Sequence, residues 1–254
     1  MLRFASLGSG SRGNAALVAS ADFLVLIDCG FSLAETQRRL ERFDIAPEQV
    51  DAILVTHEHG DHIAGVGKFA RRHGTSVWMT RGTHRVWKDS NVPELHFINP
   101  LQGFSLGDMN IQPYPVPHDA REPCQFVVSS GGRRLGILSD TGRITPHICE
   151  QLQGCDGLLL ECNHDPQMLA DGPYAEHLKQ RVGGPLGHLS NAQSADLLSR
   201  LDLTAVQQIA ITHISETNNT PELVRAAIAP VVKDALERIT LADQDHGLAW
   251  TELH

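Results

Sequence analysis

The sequence predicts an α+β protein built as a four-layer αββα sandwich. Short, apolar, β-branched runs bounded by turn residues recur in both halves of the chain, and helix-patterned stretches with capping signals lie between them. The chain has 254 residues, 41% of them apolar and 20% charged, which is enough to bury a sizeable core. No Pro-, Gly- or Ser-rich linker divides it, so residues 1–254 read as a single domain.

Residues 2–7, 15–19 and 23–28 read as three strands, the last running into Asp28-Cys29-Gly30. Ser32 and Glu35 make a capping-box pattern ahead of a helix over residues 37–43, and Pro47 closes the connection. Ala52-Ile53-Leu54-Val55 is a short buried strand, residues 63–73 are helix-like with Gly74 as cap, and residues 77–138 carry mostly short-strand signals. Ser129-Ser130-Gly131-Gly132 is a hairpin turn between residues 126–128 and 135–138. The last third repeats the early rhythm. It has a strand over 157–160, a helix from Ser190 with Gln193 completing a second capping box, a strand over 209–211 and a helix over 221–232.

Chemistry concentrates where apolar runs stop. Thr56-His57-Glu58-His59-Gly60-Asp61-His62 follows the strand at 52–55, and alternate residues of an extended segment share a face, so His57 and His59 can bind one ion. Asp61 and His62 follow Gly60, where the chain can turn, and point elsewhere; the spacing therefore suggests two adjacent metals. The Cys pairs of a closed structural zinc site are missing. His118, Asp140 and His213 each follow another strand-like run, the arrangement expected of a site drawn from loops at one edge of a rigid sheet. Gly8-Ser9-Gly10-Ser11-Arg12-Gly13 has the letters of a dinucleotide fingerprint but leads into a strand rather than a helix. It reads better as a tight turn beside the metal site, from which Arg12 and Asn14 could face substrate.

The formal net charge of −9 argues against a surface that is basic throughout, although bound divalent cations would return positive charge to the site. Lys68, Arg71 and Arg72, or Arg133 and Arg134, are candidates for a basic rim. Cys29, Cys124, Cys149, Cys155 and Cys162 are odd in number and scattered, which argues against a disulfide framework. No run is long and apolar enough to span a membrane or act as a leader, so a cytoplasmic protein without a membrane partner is expected.

His57-x-His59-x-Asp61-His62, with Asp28 before it and His118, Asp140 and His213 after it, resembles the metallo-β-lactamase fold superfamily over nearly the whole chain. Gly8 to Ala15, Pro117-His118-Asp119-Ala120, Ser139-Asp140-Thr141-Gly142, Glu161-Cys162-Asn163-His164-Asp165, Gly187-His188-Leu189-Ser190-Asn191 and His213-Ile214-Ser215-Glu216-x-Asn218-Asn219 look like its YycJ/WalJ branch, related to ribonuclease Z and other phosphodiesterases. The resemblance implies a two-metal hydrolase, a DNA exonuclease working 5′ to 3′ by way of a metal-bridging hydroxide. His57, His59 and His118 would hold one divalent ion and Asp61, His62 and His213 the other, with Asp140 bridging and Asp28 orienting the histidine loop. Zinc suits the first position, and the second could take zinc, manganese or iron. His188 resembles a general acid oriented by Glu161, and with Asp61 these form the catalytic set. Asp140 stands where well-known β-lactamases carry Cys, which argues against β-lactam hydrolysis. The alternatives are a thioester hydrolase of the glyoxalase II type and a noncatalytic regulatory module. A thiolate leaves without a proton, so a Glu161 and His188 pair favours the phosphodiester.

Overall fold

The first half of the chain lays down one sheet, the second half lays down another, and the last strand crosses back. The computed structural model describes all 254 residues apart from the side chains of residues 233–235. Strands β1 (Leu2–Gly8), β2 (Ala15–Ala19), β3 (Leu24–Ile27), β4 (Ala52–Leu54), β5 (Ser76–Thr80) and β6 (Leu95–Ile98) make the first sheet. The second contains β7 (Phe104–Leu106), β8 (Met109–Pro115), β9 (Cys124–Ser130), β10 (Arg133–Leu138), β11 (Gly157–Glu161), β12 (Gln208–Thr212) and β13 (Ile239–Leu241), while β14 (Leu248–Leu253) pairs with β1. Each sheet has seven strands and is antiparallel on one side and parallel on the other. β3 to β6 run parallel, as do β10 to β13, so both halves end in the same kind of crossover array.

Helices cover the outer faces: α1 (Leu33–Glu41), α2 (Gly60–Ile63), α3 (Val66–His73) and α4 (Arg81–Val86) belong to the first half, and α5 (Pro146–Leu152), α6 (Pro166–Asp171), α7 (Glu176–Val182), α8 (Asn191–Arg200) and α9 (Pro221–Val232) to the second. The two-residue period of the strands sorts their apolar side chains into separate layers. Ala52 and Leu54 of β4 meet Phe126, Leu159 and Ala210 between the sheets. Ile53 turns the other way, to Leu40, Phe69 and Met79 beneath the first helices. Leu158, Leu160, Ile209 and Ile211 pack outward against Leu197, Leu198, Val224 and Ile228. These three apolar layers require four layers of backbone, the predicted αββα sandwich.

The structure departs from the sequence reading at several elements. Helix α1 begins at Leu33, four residues before its predicted start, and its capping box is only half made. The Ser32 hydroxyl accepts from the Glu35 N–H, but the Glu35 carboxylate is taken by Arg38 and Arg39. The helix expected over 63–73 is two pieces, with the first turn inside the histidine motif. The break falls at Gly65, where a β-carbon would collide with the carbonyl oxygens of Phe31 and Cys29. Helix α4 interrupts a stretch read as strands, and α5, α6, α7, β13 and β14 had no sequence reading. All are short, and α4 (Arg-Gly-Thr-His-Arg-Val) has no apolar stripe to announce it. The glycine-rich stretch at residues 8–13 turns β1 into β2, not into a helix.

Candidate active site

The parallel strands of both sheets deliver their carboxyl ends to one place, as in open α/β sheets that bind ligands outside strand ends. Asp28 follows β3, the histidine loop follows β4, Asp140 lies two residues beyond β10, Glu161 is the last residue of β11 and His213 follows β12. Three of them occupy the left-handed backbone region, Asp28 with φ 61°, Asp140 with φ 49° and His213 with φ 52°. Such a conformation costs a non-glycine residue about 1–3 kcal/mol and persists where surrounding structure enforces it, which is common at functional sites. Here the turns aim each side chain back across the strand ends.

One ligand atom each from His57, His59, His118 and Asp140 lies within 4.8 Å of all the others, and the same holds for His62, Asp140 and His213. Asp140 belongs to both groups: Oδ2 is 3.4 Å from His57 Nε2 and 2.8 Å from His62 Nε2, and Oδ1 is 2.5 Å from His213 Nδ1. Asp61 stands further out, its Oδ2 3.4 Å from His62 Nε2 and 4.0 Å from His213 Nε2. All seven residues singled out in the sequence as ligands thus meet around Asp140, with Asp61 at the margin.

The donors fit divalent metal ions. They are imidazoles and carboxylates, the set that suits zinc and also manganese or iron. His57 Nε2 is buried and has no hydrogen-bond partner, although it faces a cluster of other donors. An unsatisfied buried nitrogen costs about 1–3 kcal/mol, and a cation at the cluster would satisfy it. Burial, followed by the charge of His62, pushes the His57 pKa well down, so its nitrogen is free to ligate. Burial alone would raise the Asp140 pKa, but His213 and His62 outweigh it and hold the carboxylate ionised.

A second ring of groups holds the first in place. Asp28 accepts from the Thr56 N–H and hydroxyl, each at 2.8 Å, and lies 2.7 Å from His62 Nδ1, which turns Nε2 toward the cluster. Asn14 Nδ2 is 3.1 Å from Asp61 Oδ2, and the Asn14 N–H donates to the Asp61 carbonyl. Asn14 therefore touches Asp61 and His62 and does not line the open cavity. Gly30 lets that loop approach, because a β-carbon there would strike the same carbonyl. Arg12 does not point at the site: it pairs with Glu216 and Asp245 on the surface.

Glu161 is fully buried, and its Oε1 is 2.8 Å from His188 Nδ1. Burial opposes the charged form of His188, but Glu161 and, behind it, Asp140 and Asp61 raise its pKa to about 9. A cavity of about 430 Å³ opens over the cluster, lined by His188, Asp61, Asp140 and His213 and also by Tyr174, Leu178 and Arg181. Sequence reasoning missed the last three. They lie on or just before α7, a helix with no sequence reading. Arg181 Nε donates to Asp119 Oδ2 at 2.5 Å, and the Asp119 N–H to the Leu186 carbonyl at 3.0 Å, which ties this segment to the His118 loop.

A four-layer sandwich with a histidine and aspartate cluster at its strand ends defines the metallo-β-lactamase type of fold. The Beta-lactamase superfamily domain matches residues 24–214, and the chain belongs to that superfamily and, within it, to the WalJ/YycJ family. It is 33% identical over 227 residues to a protein named exodeoxyribonuclease WalJ from Streptococcus pneumoniae serotype 2 (strain D39), covering 87% of this chain and 84% of that one. It is 30% identical over 237 residues to exodeoxyribonuclease YycJ of Bacillus anthracis, covering 92% and 90%. The metallo-β-lactamase fold protein YhfI from Bacillus subtilis superposes with a TM-score of 0.76 over 98% of each chain at 16% identity, a likeness of fold. No helix among the described residues is long and apolar enough to cross a membrane.

Proposed function

We propose that this chain is a two-metal phosphodiesterase that degrades DNA from an end, in the 5′ to 3′ direction, and that residues 1–254 act as one domain. The observation that carries the reaction class is the buried Glu161 and His188 pair opening onto the same cavity as the histidine cluster. The names of the two relatives support DNA as substrate. The inter-sheet core shared by both halves supports the single domain.

His57, His59, His118 and Asp140 would hold one divalent cation, and His62, His213, Asp140 and Asp61 the other. When bound, such a pair supplies Lewis acidity at the phosphodiester and lowers the pKa of a water from 15.7 towards about 7. The residues of the chain do the rest. Asp28 and Asn14 keep His62 and Asp61 aimed, so little reorganisation accompanies charge build-up at phosphorus. With Nδ1 held by Glu161, His188 stays an imidazolium near neutral pH, and its Nε2–H is free to protonate the departing alkoxide. The relay is local: the proton passes from His188 to the leaving oxygen and is regained from solvent at the cavity mouth.

The test is a metal-supplemented assay on DNA and RNA labelled at one end or the other, single- and double-stranded, with bis(p-nitrophenyl) phosphate and S-lactoylglutathione beside them. Stepwise release of nucleotides from the 5′ end of DNA is expected. Thioester hydrolysis without phosphodiester cleavage would overturn the reading in favour of a glyoxalase II type of enzyme, and inactivity on every substrate in metal-loaded protein would favour a noncatalytic module.

A further inference from the structure

We infer that α4 and the loop after His118 form the track on which the nucleic-acid backbone lies as its end is cleaved. This rests on the nuclease reading and adds the surface that holds the polymer. Arg81, Arg85 and Lys88 lie on or just after α4, and Arg121 lies three residues beyond His118; all four are exposed. Elsewhere several cations are neutralised: Arg12 by Glu216 and Asp245, Arg38 and Arg39 by Glu35, Arg71 by Asp89, Arg133 by Asp156 and Arg200 by Asp196. The four side chains here make no ion pair among the described residues. In a protein of formal net charge −9, four unpaired cations on neighbouring segments make a local positive patch, and phosphates are the chemistry it fits.

An aromatic ring stands among these charges. Phe97, 40% exposed, lies beneath the Arg81 guanidinium, 4.3 Å from its centroid, and is met edge-on by His84 at 5.2 Å. Cations around an exposed aromatic ring are the combination used by proteins that hold single strands, the charges following the backbone and the ring offering a face to a base. The patch is also joined to the candidate site. Glu58, between His57 and His59, accepts from the Arg121 N–H at 2.7 Å and from the Thr83 hydroxyl of α4 at 3.4 Å. The Glu122 carboxylate accepts from the Gly82 N–H at 2.6 Å. The loop that carries His118 and the helix that carries the cations are thus one connected surface. In each basic rim suggested by the sequence one arginine, Arg71 or Arg133, is taken by a carboxylate partner.

The experiment measures kcat/KM of metal-loaded protein on an end-labelled oligonucleotide across a range of salt concentrations. The arms are wild type, Arg85→Ala/Lys88→Ala, Phe97→Ala and, as control, Arg200→Ala. Loss of two phosphate contacts should reduce the steepness of the log–log salt dependence by about 1.4 for a single strand or about 1.8 for a duplex, with KM raised about tenfold. Phe97→Ala should raise KM on single strands more than on duplex without changing the salt slope. The control should match wild type. Bis(p-nitrophenyl) phosphate, which has no polymer backbone to lie along the track, reports whether the metal centre is intact in each variant. An unchanged KM and salt slope in the double variant would overturn the inference and leave an acidic protein as the partner the patch fits. Equal losses on both substrates would overturn it too, by making the patch a support of the fold. Failure of wild type itself to cleave DNA would instead sink the nuclease reading.

Discussion

In the proposed reaction His188 and Asp140 would carry separate parts of the chemistry, and single substitutions should separate them. His188 lies beside the cluster, held by Glu161; it belongs to neither multi-histidine group but to a third, with Glu161 and Asp140. His188→Ala should therefore keep fold and metal content yet lose about 10² to 10⁴ in turnover on a DNA diester, the scale of general acid catalysis. On bis(p-nitrophenyl) phosphate the loss should be much smaller, because p-nitrophenolate departs without a proton; equal losses on both substrates would mean that His188 positions phosphate. Asp140 is the one carboxylate common to both groups, so Asp140→Ala should lower the occupancy of both metals together. Elemental analysis after gel filtration reads this directly, and retention of two tightly bound ions would refute the bridge. The residues alone mark Asp28 as an acid at a strand end, and the resemblance implies that it orients the histidine loop. That it bonds Thr56 and His62 depends on β3 and β4 lying side by side.

At the scale of elements, α1 shows how a surface helix secures a loop of the site. Its Arg39 side chain is 5% exposed, donates to the Leu7 and Gln244 carbonyls, pairs with Glu35 and stacks on Phe31 at 4.0 Å. Arg39→Ala would leave the Gln244 carbonyl without this donor, the Leu7 carbonyl keeping Arg42, and should destabilise the fold by about 2–4 kcal/mol, measured by urea unfolding. Glu35 adds a pH dependence. Its hydrogen bond to Arg38 is the largest influence on it, and with Arg39 it overcomes the effect of burial and lowers the carboxyl pKa from 4.5 to about 2. Since the folded value is the lower one, the contribution is complete above the unfolded pKa and fades as pH falls through 4.5 towards about 2. The stability gap between wild type and Glu35→Gln should thus be largest near neutrality and narrow by about pH 3. An equal gap at both pH values would mean that the side chain acts by packing alone.

For the molecule as a whole, metal binding and folding should be linked, because the cluster exists only when strands of both sheets have assembled. A ligand at 1,000 times its Kd stabilises the folded state by about 4 kcal/mol, and for a chain of this size each kcal/mol moves Tm by about 2–4 °C. Chelation should accordingly lower Tm by about 8–16 °C, reversed on adding back a divalent metal; an unchanged Tm would show that the cluster holds no ion of consequence. The sequence by itself determined the sandwich, because short apolar runs and turn residues are local signals, and it marked the candidate ligands, because histidines and aspartates stand where those runs stop. The second capping box is equally local, and Ser190 and Gln193 make it reciprocally at the start of α8. Only the tertiary structure decided which of these residues meet, since His62, after β4, and His213, after β12, are brought together from strands of different sheets. It also decided that Arg12 is spent on surface carboxylates, that Tyr174 and Arg181 face the cavity, and that Arg81 to Lys88 form a helix beside the histidine loop. Those outcomes depend on packing between segments far apart in the chain, and no period or spacing within one segment encodes them.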